Sequence, residues 1–294
     1  MKLTKSLMSV AIATVIAVPG IASAGTINPG GAGVILPTMP DTYFTTGTLY
    51  EGQVTASPAT DYMSPITATG QELGGIGYIG TIAPGGGSPV WVTGQNGVQL
   101  GLQFGGYIAQ RIQITSGTSA TVWFSGGWAN YFTAPVGTFN ANGSVAPATA
   151  FASAGGTPWL NTVATTEYNC VSADGCAGGA GTGITLIANI IGTPTHILPG
   201  SSGLGYLSVG PGAGVANGNF DTNTYLTPSG SIADTFLNSS FQNPIPGSTQ
   251  FAANGSFNLA GVAIPAPGSL FLLGIGALAM GFGLSRKSKS AYFA

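Results

Sequence analysis

Apolar positions along this chain alternate with polar ones; they do not recur every third or fourth residue. In VQLGLQF, Val98, Leu100, Leu102 and Phe104 fall on one side and Gln99, Gly101 and Gln103 on the other, the period-2 pattern of a half-buried strand. The next run, YIAQRIQIT, sets Ile108, Ile112 and Ile114 against Tyr107, Arg111 and Gln113. The Gly105-Gly106 pair between the two runs predicts a hairpin turn. Further strands are predicted at 121–124, 184–191, 206–209, 231–237 and 256–262, each fenced by Gly, Pro, Asn or Ser. No long helical pattern interrupts them, and residues 133–156, rich in Ala, Gly and Asn, read as a long loop or a weak domain boundary. Many short strands at this spacing predict an all-β fold, an antiparallel β-sandwich of jelly-roll or barrel-like form, over residues 25–260.

The two ends break the alternation. Residues 1–24 carry Lys2 and Lys5, an apolar run at 7–18 and then Ala22-Ser23-Ala24, the layout of a signal peptide cleaved between Ala24 and Gly25. Twelve apolar residues span about 18 Å as a helix, too short for a bilayer core of about 30 Å. Residues 261–294 hold Pro265-Ala266-Pro267-Gly268, an apolar Gly-rich stretch at 269–284, and then Arg286, Lys287 and Lys289. The stretch predicts a short transmembrane helix of about 24 Å, and the basic residues after it hold that end on the cytoplasmic side.

Motif, short helix and basic stop, in that order, resemble the PEP-CTERM sorting signal of Gram-negative bacteria that make exopolysaccharide. In the match Pro265 and Pro267 stand for the two prolines, Gly268-Ser269 for the small residues after them, 269–284 for the helix and Arg286-Lys287 for the basic cluster. Ala266 takes the place of the family's central Glu. The resemblance implies an exosortase-type protease as processing partner, transient anchoring in the inner membrane, and a destination at the cell surface or outside the cell.

Composition sharpens this picture. Only 5% of the 294 residues are charged, against roughly 25% in an ordinary soluble domain. With 44% hydrophobic and 10% aromatic residues the chain has the means to fold. Five of its six bases lie in the two ends, so the body between them keeps Arg111 alone against eight acids. That balance excludes nucleic acid, whose phosphates demand many Lys and Arg.

Candidate chemistry is sparse. Cys170 and Cys176, in CVSADGC, are predicted to form a disulfide in an exported chain, with Asp174-Gly175 turning the loop between them. Zinc lacks ligands, because His196 is the only other soft donor. No nucleophile elbow accompanies that histidine, and no catalytic residue is assigned. The acids Asp41, Glu51, Asp61, Glu72, Glu167, Asp174, Asp221 and Asp234 are scattered, so a carboxylate pair for glycoside hydrolysis is not visible along the chain. NGNFDTNTY gives Asp221 and Asn223, with Asn219, as weak calcium candidates; no other metal or cofactor is expected. For stacking on sugar rings the candidates are Trp91, Trp123, Trp128, Tyr131 and Trp159, weighed against the commoner role of such residues in a β core. The expectation is a non-enzymatic, exported surface or extracellular-matrix protein in contact with exopolysaccharide in a biofilm or floc. The competing readings are a polysaccharide hydrolase and a self-associating surface-layer or filament subunit.

Overall fold

The computed structural model describes residues 29–30, 41–54, 62, 64–138, 156–212, 214–243 and 251–263, all within one compact unit, Thr26–Ile264. Its long strands are β1 (Asp41–Gln53), β2 (Glu72–Pro84), β4 (Val98–Ser116), β5 (Ser119–Pro135), β6 (Thr157–Thr165), β9 (Leu186–Thr193), β11 (Ser201–Val209), β14 (Thr235–Gln242) and β15 (Ala253–Ala263). Short pairings connect them: β3 (Trp91–Val92), β7 (Tyr168–Asn169), β8 (Gly183–Ile184), β10 (His196–Ile197), β12 (Tyr225–Leu226) and β13 (Ile232–Ala233). A four-residue helix, α1 (Asn217–Phe220), follows β11.

The antiparallel all-β expectation holds, but the strands form one circuit and not two stacked sheets. Pairing runs β11-β14-β15-β1-β2-β4-β5, and the gap between β5 and β11 is bridged twice. β9 pairs with the first half of β5 (Ser119↔Ile191 to Phe124↔Leu186) and with the first half of β11 (Ser202↔Asn189 to Gly205↔Leu186). β6 pairs with the second half of each (Trp128↔Val163 to Thr133↔Thr157; Tyr206↔Thr165 to Val209↔Thr162). Two short strands laid end to end thus fill one position and close an eight-position barrel, a size whose interior side chains just fill.

Alternation decides what fills it. Ile79, Ile82, Leu100, Leu160 and Leu207 point inward and are fully buried. The ring of Phe220 from α1 packs edge-on to Trp159, centroids 5.9 Å apart, at one end. Ile66 and Ile197, from the connections, are buried at the other. Much of the outer wall is held together by uncharged groups. Hydroxyls meet across neighbouring strands at Thr46–Thr81 (2.6 Å), Ser240–Ser256 (2.9 Å) and Thr165–Ser208 (2.7 Å), the kind of cross-strand pair that adds a few tenths of a kcal/mol up to ~1 kcal/mol each.

The Gly105-Gly106 hairpin is not formed. β4 runs straight through the pair, and the chain reverses instead between Ser116 and Ser119. The glycines serve a local irregularity in the β2–β4 ladder, where the register shifts between Leu73 and Gly75. Gly106 sits at φ +74°, and the Glu72 carboxylate accepts its N–H at 2.8 Å. The predicted loop also starts later than residue 133, since β5 continues to Pro135. Among the described residues no helix is long and apolar enough to cross a membrane; the predicted span at 269–284 lies outside them.

A carboxyl lines the interior of the barrel. A cavity of about 40 Å³, walled by Leu49, Leu73, Leu102 and Phe241, carries Glu51, whose carboxyl is pushed up to about 7 by burial. Unfolded, this group ionises near 4.5, so between those pH values the folded chain holds a proton that the unfolded chain has lost. The contribution of this group to stability is therefore expected to be full below about pH 4.5 and to be lost as pH rises through 7, and Glu51→Gln should remove that share of the difference between denaturant titrations at pH 4.5 and 8. Leu100→Ala, at a fully buried site, should cost ~2–5 kcal/mol in the same measurement.

Candidate functional site

The site is built on the outer wall where β4, β5 and β9 lie side by side. Arg111, Trp123 and Ile187 are direct cross-strand neighbours there. The Arg111 guanidinium stands over the Trp123 ring, 4.7 Å from its centroid, a cation–π contact. The Cys170–Cys176 disulfide forms as expected, and its loop folds down onto this row. The N–H groups of Ala177 and Gly178 donate to the main-chain oxygen and to Oε1 of Gln110, both at 2.8 Å, while Gln110 Nε2 donates to Ser125 Oγ. Cys170, Cys176 and Ile184 then bury themselves against Trp123 and Ile187 as a small apolar cluster outside the barrel.

Asp174, at the turn of that loop, is the organiser. Its Oδ1 meets Arg111 Nη1 at 3.4 Å; its Oδ2 accepts the Tyr168 hydroxyl at 2.5 Å and the Val171 N–H at 2.7 Å. The Tyr168 hydrogen bond first, then the Val171 amide, hold its carboxyl below the usual carboxylate range, and the same bond pushes the Tyr168 hydroxyl up. A second wall comes from the β12–β13 hairpin. Thr227 and Ser229 hydroxyls both donate to the Thr166 carbonyl, at 2.9 and 2.7 Å, and this brings Pro228 to the rim.

Between these walls lies a cleft of about 330 Å³, within the size range of small-molecule sites. Glu167 lines it, only 7% exposed, and its Oε2 has no hydrogen-bond partner. Burial pushes this carboxyl up to about 7. Two carboxyls in one cleft are thus driven in opposite directions, Asp174 down by its donors and Glu167 up by desolvation, a divergence that marks candidate functional groups.

The residues singled out in the sequence are dispersed. Trp91, Tyr131 and Trp159 are fully buried, with no face open to a sugar; alternation turns them inward, and Tyr131 packs edge-on to Trp159. Trp128 is half-buried on the outer wall, its indole about 3.1–3.2 Å from where Cβ atoms at Gly105 and Gly106 would stand. It roofs the glycine pair. Trp123 alone of the five lines the cleft, with Arg111 over its ring.

The calcium candidates do not converge: Asn219 is buried whereas Asp221 and Asn223 are exposed. That loop is organised by Asp234, which accepts the N–H groups of Val209, Thr222 and Asn223 at 2.7, 2.8 and 2.6 Å. Among the described residues no three His, Cys, Asp or Glu side chains are grouped to hold a metal. His196 is exposed on β10. The grouping of Arg111, Glu167, Tyr168 and Asp174 was not anticipated. Two signals pointed to it: Glu167-Tyr168 directly precede the disulfide loop, and the body's only base needs an acid partner.

Ala24, Gly25, Pro265, Ala266, Pro267, Gly268, Arg286 and Lys287 lie outside the described residues. No curated protein matches the chain. Residues 263–287 match the PEP-CTERM protein-sorting motif, covering the Pro-Ala-Pro segment, the apolar stretch and the basic pair. The chain therefore carries a PEP-CTERM protein-sorting motif, which marks an exported, membrane-transiting protein sorted through its C-terminus and implies processing by an exosortase.

Proposed function

We propose that this exported barrel is a non-enzymatic protein of the cell surface or extracellular matrix, and that it contacts exopolysaccharide, in a biofilm or floc, through the cleft on its outer wall. The observation that carries this reading is the cleft itself. It combines the aromatic and aliphatic surfaces of Trp123, Tyr168, Ile187 and Pro228 with the polar groups of Arg111 and Glu167, the mixture that holds the carbon face and the hydroxyls of a sugar.

Its charge state argues for binding over hydrolysis. A glycosidase needs two working carboxyls flanking the bond, and both oxygens of Asp174 are already committed to Arg111, Tyr168 and Val171. Only Glu167 stands ready. Self-assembly through sheet edges is also disfavoured, because the closed circuit consumes the long edges on which strand addition depends.

The reading is tested by co-sedimenting the exported protein with matrix polysaccharide from the cells that make it. Wild type and Trp128→Ala, outside the cleft, should be retained. Trp123→Ala should be released at polysaccharide concentrations that hold the wild type, with a loss near the ~2 kcal/mol of a binding hot spot. Equal retention of Trp123→Ala and wild type would refute the cleft as the contact, and failure of the wild type to sediment would refute the polysaccharide role.

A further inference from the structure

Among the described residues that line the cleft, Glu167 is the one with a buried side-chain polar atom left without a partner. Its Oε2 has no partner although the residue is 93% withdrawn from solvent, a placement that costs free energy until a donor arrives. The charged and titratable groups around it are few. Arg111 is occupied by Asp174 and by the Trp123 ring. The Tyr168 hydroxyl donates its hydrogen bond to Asp174, and Tyr206, on β11, is itself pushed up by burial and by the nearby Glu167 charge. The body has no second base to offer, since Arg111 is its only Lys or Arg.

We infer that the cleft takes an amine-bearing sugar, with the sugar ammonium donating to the Glu167 carboxylate and its carbon face lying against Tyr168, Ile187 and Pro228. This rests on the polysaccharide reading above and narrows it. Four considerations favour a cationic sugar over other occupants. A body with one base and eight acids repels polyanionic glycans and attracts cationic ones. Calcium needs six to eight oxygen ligands, whereas the cleft offers one free carboxylate. A neutral hydroxyl also satisfies Oε2, but only an ammonium brings the opposite charge that a poorly solvated carboxylate lacks. The 37% exposed ring of Tyr168 supplies the flat apolar surface that an isolated ammonium would not use.

The test is calorimetric titration of the exported protein at pH 7, where about half of the Glu167 carboxyl is ionised before ligand arrives, with two sugar tetramers of equal length, one of free glucosamine units and one fully N-acetylated. The free-amine tetramer should bind about tenfold tighter or more, the gain expected of a charge-assisted hydrogen bond. Glu167→Gln, of the same shape, should reduce the free-amine tetramer to the level of the acetylated one while its thermal unfolding still shows a folded barrel. Equal binding of the two tetramers by the wild type, or an undiminished preference in Glu167→Gln, would overturn the amine assignment and leave the polysaccharide reading standing. If neither tetramer binds while matrix polysaccharide still co-sediments, the amine assignment falls alone; if that co-sedimentation fails too, both readings fall.

Discussion

Closure of the sheet is the constraint on which the rest of this structure depends. A chain with 5% charged residues cannot rely on surface ion pairs, and open strand edges would present unpaired N–H and C=O groups to its neighbours. The circuit through β6 and β9 removes that exposure by satisfying β5 and β11 along both halves of the seam. The alternation of apolar and small polar residues then sorts itself. Leucines, isoleucines and aromatics fill the interior, while threonines, serines and asparagines pair with one another outside.

Against that largely uncharged wall the cleft stands out, because it brings Arg111, Glu167 and Asp174 together. The disulfide closes a short loop, which in the chain-entropy view stabilises by about 2 kcal/mol, and its larger effect is positional. It carries Asp174 to Arg111 and lays an apolar cluster over Trp123. Asp174 is spent on architecture, fixing Tyr168 and the loop. Glu167 is held nearby in a poorly solvated place with nothing to neutralise it. An exported protein sorted through its C-terminus would present this feature on a rigid support, where binding loses little to loop ordering.

The fold class and the addresses were legible in the sequence because both are local. VQLGLQF alternates on its own, and the sorting motif is an ordered run of three short parts. The cysteine pair was legible for the same reason. What failed was non-local. Gly105-Gly106 reads as a turn along the chain, but Glu72 and Trp128, from β2 and β5, make it a continuous part of β4. β1 and β2 escaped notice because glycine and threonine dilute their alternation (DTYFTTGTLYEGQ, ELGGIGYIGTIAP). The tryptophans could not be sorted into core and surface before the register was known. Glu167 and Asp174 are seven residues apart but face one cleft only because the disulfide loop folds back over β4 and β5.

The double bridge across the barrel seam is tested most directly by nuclear Overhauser contacts between backbone protons of the exported protein. Closure predicts cross-strand contacts at Leu204↔Ile187, from β11 to β9, and at Ser208↔Val163, from β11 to β6, in the same folded state. Absence of both pairs of contacts, with β5 still paired to β4, would show an open sheet and contradict the barrel on which the cleft is built.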